Sequence, residues 1–125
     1  MDFAKGSLLA QVAPANTTAA TAYTCGDVPT EITRILVCNT TAVAAAARIF
    51  HDDAAASYVA GTALWYDKNI PANETVELTS PSVGAGIHLK KSGTIGVRTG
   101  TANALTFSFY GITATLAQRV SAGRS

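Results

Sequence analysis

Charge is scarce in this chain: 14% of its 125 residues are Asp, Glu, Lys or Arg, and the formal net charge is +1. An ordinary soluble domain carries roughly 25% charged residues. The densest basic run is Lys90-Lys91. Binding to a nucleic-acid backbone draws on several phosphate contacts from Lys and Arg, so no nucleic-acid partner is predicted. Long apolar runs are also missing, and without about 18 consecutive apolar residues no helical membrane span is predicted. The opening residues, MDFAKG, do not place a basic start before a long apolar stretch, so no secretory signal is expected. Cysteine is limited to Cys25 and Cys38. In a chain made in the cytoplasm both are expected to stay reduced. Cys38 lies in an apolar run and reads as a small buried hydrophobe, whereas Cys25, before Gly26 and Asp27, reads as part of a turn.

What the chain has in excess is small side chains, with Ala and Thr supplying about a third of it. A GC-rich genome produces such a bias, and a surface of Thr, Ser, Ala and Gly also suits close lateral contact with other proteins. The length is that of one domain with a single core. Short β-like runs recur at near-regular spacing with turn residues between them. Residues 7–13 alternate before the break at Pro14, and 22–24 form a short run. The stretch 30–38, TEITRILVC, is rich in β-branched residues and reads as a central strand. Residues 43–52 are ambiguous. Four alanines favour helix, but Ala47, Ile49 and His51 alternate with Arg48, Phe50 and Asp52, which favours strand. After a loop at 53–61, ALWYDKNIPANETVELT reads as a hairpin with strands 62–66 and 74–79. A Gly- and Pro-rich loop covers 80–86. Strands 87–90 and 94–99 flank a tight turn, and 104–113 has the cleanest period of two, with Leu105, Phe107 and Phe109 on one face.

This pattern predicts an all-β fold: a single β-sandwich, Ig-like or jelly-roll-like, of about seven to nine short antiparallel strands. Residues 1–19 form an extended N-terminal arm, 20–113 the sandwich and 114–125 a tail. The expected core is Ile32, Ile35, Val37, Phe50, Leu64, Val76, Leu78, Ile87, Leu89, Ile95, Val97, Leu105, Phe107 and Phe109.

Chemistry-bearing groups are sparse. His51-Asp52-Asp53 is the densest polar cluster, but a metal would need further ligands, and it reads as a solvated strand end. There is no Gly-x-Ser-x-Gly elbow, and Gly84-Ala85-Gly86 lacks the helix that a phosphate loop requires. No catalytic, cofactor or metal residues are assigned, and the expectation is a protein that is not an enzyme. Asn-x-Thr sequons at Asn16, Asn39 and Asn73 are what abundant threonine produces by chance. Trp65, Tyr66 and Asp67 are the one aromatic–acidic cluster. Strand alternation, burying one ring and exposing the other, accounts for it better than a sugar-stacking patch.

Four stretches carry a resemblance: QVAPANTTAATAYT (11–24), ITRILVCNTT (32–41), ALWYDKNIPANETVEL (63–78) and GIHLKKSGTIGVRTGTANALTFSFYGIT (86–113). In order, they resemble small β-sandwich virion proteins of tailed bacteriophages. In that group a V-C-N strand end precedes a variable strand, then a Y-D-x-x-[IL]-x-A-N-[DE]-T segment, a G-[IL]-x-L strand and a final S-F-x-x-[FY]-G strand. The loop HDDAAASYVAG and the tail past Thr113 depart from that pattern.

The resemblance implies a structural protein on the virion surface, made in the host cytoplasm. The first expectation is a capsid decoration, or cement, protein that stabilises the head by bridging capsomers through the major capsid protein. The alternatives are a neck, collar or tail component, or a receptor- or glycan-binding module. Candidate interaction residues are Phe3, Leu8, Leu9 and Val12 in the arm and Trp65 and Tyr66 in the sandwich. An arm carrying that much apolar surface is expected to dock on a neighbour's sheet edge, giving a homo-oligomer with a trimer favoured. The alternative is an arm folded back on its own domain.

Overall fold

A computed structural model of the chain describes residues 7–54, 56–78 and 86–113. Among these residues nine strands follow in order: β1 (Ser7–Val12), β2 (Ala20–Thr24), β3 (Thr30–Asn39), β4 (Ala45–Asp52), β5 (Ala63–Ile70), β6 (Thr75–Leu78), β7 (Ile87–Leu89), β8 (Thr94–Thr99) and β9 (Leu105–Thr113). A 3-10 turn, Ala60–Thr62, leads into β5. One sheet has the order β1-β9-β3-β6, with β7 also on β3; the other has the order β2-β8-β4-β5. All pairings are antiparallel.

The pairs nest. β4 joins β5, β3 joins β6 and β7, β2 joins β8, and β1 joins β9. The chain is therefore one long doubled ribbon with its tip at residues 53–62, rolled so that successive turns fall in opposite sheets. That is the jelly-roll order, and of the two sandwich types expected it is the one adopted.

The core lies between the sheets. Ile32, Ile35, Val37, Leu78, Leu89, Ile95, Val97, Leu105, Phe107 and Phe109 are buried there, as expected, with a bulge at Thr33 bringing Ile32 to the same face as Ile35, and Val76 and Ile87 pack against them half-buried. Burial of this kind yields roughly 25 cal/mol per Å² of apolar surface. Ile49, Ile70, Ala45, Ala47 and Ala104 belong to the same core. The alanines suit places where the sheets approach closely.

Several expectations are corrected. The stretch 62–79 is not a hairpin: β5 lies in one sheet and β6 in the other. Pro71 to Glu74 form the corner between them, closed by the Glu74 N–H on the Pro71 carbonyl at 3.3 Å, with Asn73 left-handed at φ 59°. The turn at 91–93 likewise carries the chain across from β7 to β8, with Gly93 N–H on the Lys90 carbonyl at 2.9 Å. Period-two patterning reports strands but not their partners, so a corner and a hairpin look alike in sequence.

Residues 7–12, assigned to the arm, are an edge strand of the first sheet. Leu9, Ala10 and Val12 pack on the core of the same chain. The two cysteines keep their expected places, Cys38 in β3 and Cys25 in the connection after β2, but exchange burial. Cys25 is 2% exposed, with its thiol facing the Val28 and Leu89 carbonyls, and Cys38 is half-buried; both are free. Phe3, residue 79 at the end of the expected strand, residues 80–85 of the Gly- and Pro-rich loop, and the tail 114–125 lie outside the described residues.

Asn39 ties the sheets at the β3 end. It is 1% exposed, and its amide nitrogen donates to the Val43 and Ile70 carbonyls at 2.9 and 3.0 Å. Its amide oxygen accepts from the Thr41 N–H at 2.9 Å and the Thr41 hydroxyl at 2.8 Å. A buried amide this fully bonded acts as a structural pin.

Candidate functional site

The outer face of the four-stranded sheet gathers the aromatic and charged side chains. β5 is its edge strand and breaks register twice against β4. Ile49 lies opposite Trp65 and Phe50 opposite Ala63, so Leu64 is an extra residue; Ala47 lies opposite Lys68, so Tyr66 and Asp67 together face Arg48. Such bulges collect on edge strands, where only one neighbour must be satisfied. Two consequences follow. Leu64, expected in the core, is 43% exposed, because the insertion hands the inward position to Trp65, which packs half-buried on the core. Tyr66 and Asp67, adjacent residues that a regular strand would send to opposite faces, share one face, with Asp67 left-handed at φ 55°.

Arg48 fills the space between them. Its Nε donates to Asp67 Oδ1 at 2.7 Å and its terminal nitrogen to Asp67 Oδ2 at 3.1 Å. The guanidinium carbon sits 3.8 Å from the centre of the Tyr66 ring. The forked bond satisfies both carboxylate oxygens in one plane, and the ring face receives the cation. Hydrogen bonding to Arg48 holds the Asp67 carboxyl below its ordinary value against the opposing effect of partial burial, and the charges of Arg48 and Arg98 add to it. The same bond raises the Arg48 value, again against burial. Arg98, directly across from Arg48 on β8, donates from Nε to the Thr17 carbonyl at 2.7 Å.

The ribbon tip lies over the same sheet. Phe50 points outward from β4, yet is only 1% exposed, because Tyr58 covers it with ring centres 5.7 Å apart. Gly96, opposite Phe50, makes the room: a Cβ there would stand 2.6 Å from the Tyr58 ring. The Tyr58 hydroxyl meets that of Thr21 at 2.7 Å. The Asp52 carboxylate accepts from the Ala54 and Ser57 N–H groups at 2.7 and 2.8 Å, and the Thr62 hydroxyl binds the Ser57 carbonyl at 2.8 Å. His51 Nε2 and Asp53 Oδ1 are 2.9 Å apart. The His51-Asp52-Asp53 cluster thus anchors the loop that carries Tyr58. Among the described residues no group of three or more His, Cys, Asp or Glu side chains is placed to hold a metal ion.

The candidate residues divide into two sets. Leu8, Leu9 and Val12 lie on β1, at one edge of the first sheet, where Leu8 is 49% exposed; Trp65 and Tyr66 lie on β5, at an edge of the second. β1 runs alongside β2, the opposite edge of the second sheet from β5, so the sets are not brought together. Tyr66 is the exposed member of its pair, at 51%. Arg48 and Tyr58 escaped sequence reasoning. Nothing local in the sequence marks the bulge that seats Arg48 or the contact, 38 positions apart, that seats Tyr58 on Gly96.

Comparison with known protein families, curated proteins and solved structures finds no match to this chain. Fold and site stand on their own geometry. The Arg48–Tyr66–Asp67 group is an exposed polar–aromatic platform with its charges paired.

Proposed function

We propose that the chain is a structural component of a tailed-phage virion, a decoration protein on the outer capsid that bridges capsomers through the major capsid protein. The observation that carries this reading is the nested jelly-roll order, an architecture that viral capsid domains share. The phage-like stretches in the sequence support it, since they fall on the strands and corners that build that order, while the departing loop falls at the ribbon tip. Fold by itself does not specify function, so the reading leans on fold and resemblance together. The protein is a non-enzymatic homo-oligomer, a trimer by preference, made in the host cytoplasm and carried on the particle surface.

The test is the copy number in purified particles, by gel densitometry against the major capsid protein. Hundreds of copies are expected. A dozen or fewer moves the protein to the neck or tail, and absence from particles ends the virion reading.

A second reading, a glycan-binding module on the virion, is favoured by the exposed Tyr66 platform, because lectins also use jelly rolls. The discriminating variant is Tyr66→Ala on a glycan array. Trp65 packs on the core, so replacing it would mix stability with binding. Strong binding by the native chain, lost in the Tyr66→Ala chain, selects this second reading.

A further inference from the structure

β1 is the outermost turn of the roll. Among the described residues it pairs only with β9, so its departure breaks no other pairing there. No β1 side chain is fully buried, whereas Phe107 and Phe109 on β9 are completely so. Its seat is nonetheless specific. Gln11 Nε2 donates to Ser108 Oγ at 2.8 Å. The Leu9 side chain occupies the space above Gly111, where a Cβ would stand 2.7 Å from it. Leu9, Ala10 and Val12 pack on the core.

The connection to β2, residues 13–19, is exposed at 13 and 15–18. It is held by the Asn103 N–H on the Pro14 carbonyl at 3.1 Å and by Arg98 on the Thr17 carbonyl. Pro14 biases Ala13 toward extended backbone, so the connection is compatible with running straight away from the domain.

We propose that β1 is an exchangeable strand: the slot along β9 that it fills in its own chain also accepts β1 from a second copy, with the same register and the same Gln11–Ser108 bond. An emptied slot exposes a β9 edge and the apolar ground beneath it, and the strand that matches it in sequence and register is another β1. Exchange conserves every contact except those of the connection, so concentration decides it. Passed head-to-tail around a ring, it links copies without a new interface. This inference does not depend on the virion reading, and it holds for any setting that crowds the copies.

The test uses two full-length pools, both carrying Cys38→Ser, one with Gln11→Cys and the other with Ser108→Cys. Neither chain can form the 11–108 bridge within itself. The pools are unfolded, refolded together at about millimolar concentration, the scale of a short tether, and oxidised. The expected product is a dimer bridged from position 11 to position 108, identified by peptide mass. Its yield should fall on dilution, and should be about tenfold that of a control in which Ala72→Cys replaces Ser108→Cys. A Gln11→Cys/Ser108→Cys chain, oxidised when dilute, calibrates bridging within one chain. An 11–108 yield no greater than the control, unchanged by concentration, overturns the proposal.

Discussion

β9 and β5 are two long strands of one molecule that obey different rules. β9 lies between β1 and β3, and its Leu105, Phe107 and Phe109 alternate into the core without interruption. Among the described residues β5 has only β4 beside it, and along its eight residues it inserts two extra positions, exposes Leu64 and Tyr66, and still buries Ile70. The difference is one of constraint. β9 keeps its pleat, because a slip would carry every side chain to the wrong face, and the register shifts along it fall on its partners, at Leu9 of β1 and Thr33 of β3. An edge strand absorbs an insertion at the cost of a local kink, and the kink re-aims side chains. The irregular strand is the one that carries the polar–aromatic platform.

The largest effect should come from breaking the regular strand. Phe107→Ala is expected to cost about 3–5 kcal/mol in chemical denaturation, while Leu64→Ala on β5 should stay within about 0.5 kcal/mol of the native chain. A similar loss at both positions would erase the contrast. Next comes the covered patch beside β5. Gly96→Ala pushes a methyl into the Tyr58 ring and should cost about 1–3 kcal/mol. Most of that cost should vanish in a Tyr58→Ala background, as a double-mutant cycle would report.

At the corner where β5 ends, Asn73 is left-handed. Asn73→Val should cost about 1–2 kcal/mol and Asn73→Gly should be close to neutral, by thermal melts of both variants. The smallest effect lies in the exposed ion pair. The Asp67 carboxyl is held below its unfolded value, so its contribution is fully present above the unfolded value and is lost as the pH falls through the folded one. Asp67→Asn should flatten the acid limb of the stability–pH curve and leave the neutral range little changed. An unaltered acid limb would show that the pair contributes nothing there.

The residues of the sequence determined the elements. Alternation placed β8 and β9 with their core residues and settled the alanine-rich run in favour of strand, because side-chain period is a local property of the backbone, while β-branched content placed β3, where a bulge at Thr33 interrupts the period. It also placed a left-handed-tolerant Asn73 after Pro71. The tertiary structure decided what pairs with what. It turned the Trp65 segment from a hairpin into a corner between sheets, paired residues 7–12 with β9, buried Cys25 in place of Cys38, and set Arg48 between Tyr66 and Asp67. Each of these depends on partners far apart in the chain: Asn39 reaching Ile70, Gly96 opening for Tyr58, β1 finding β9 across almost the whole sequence. Such contacts are chosen by how two sheets close over a common core, and no window of neighbouring residues contains that information.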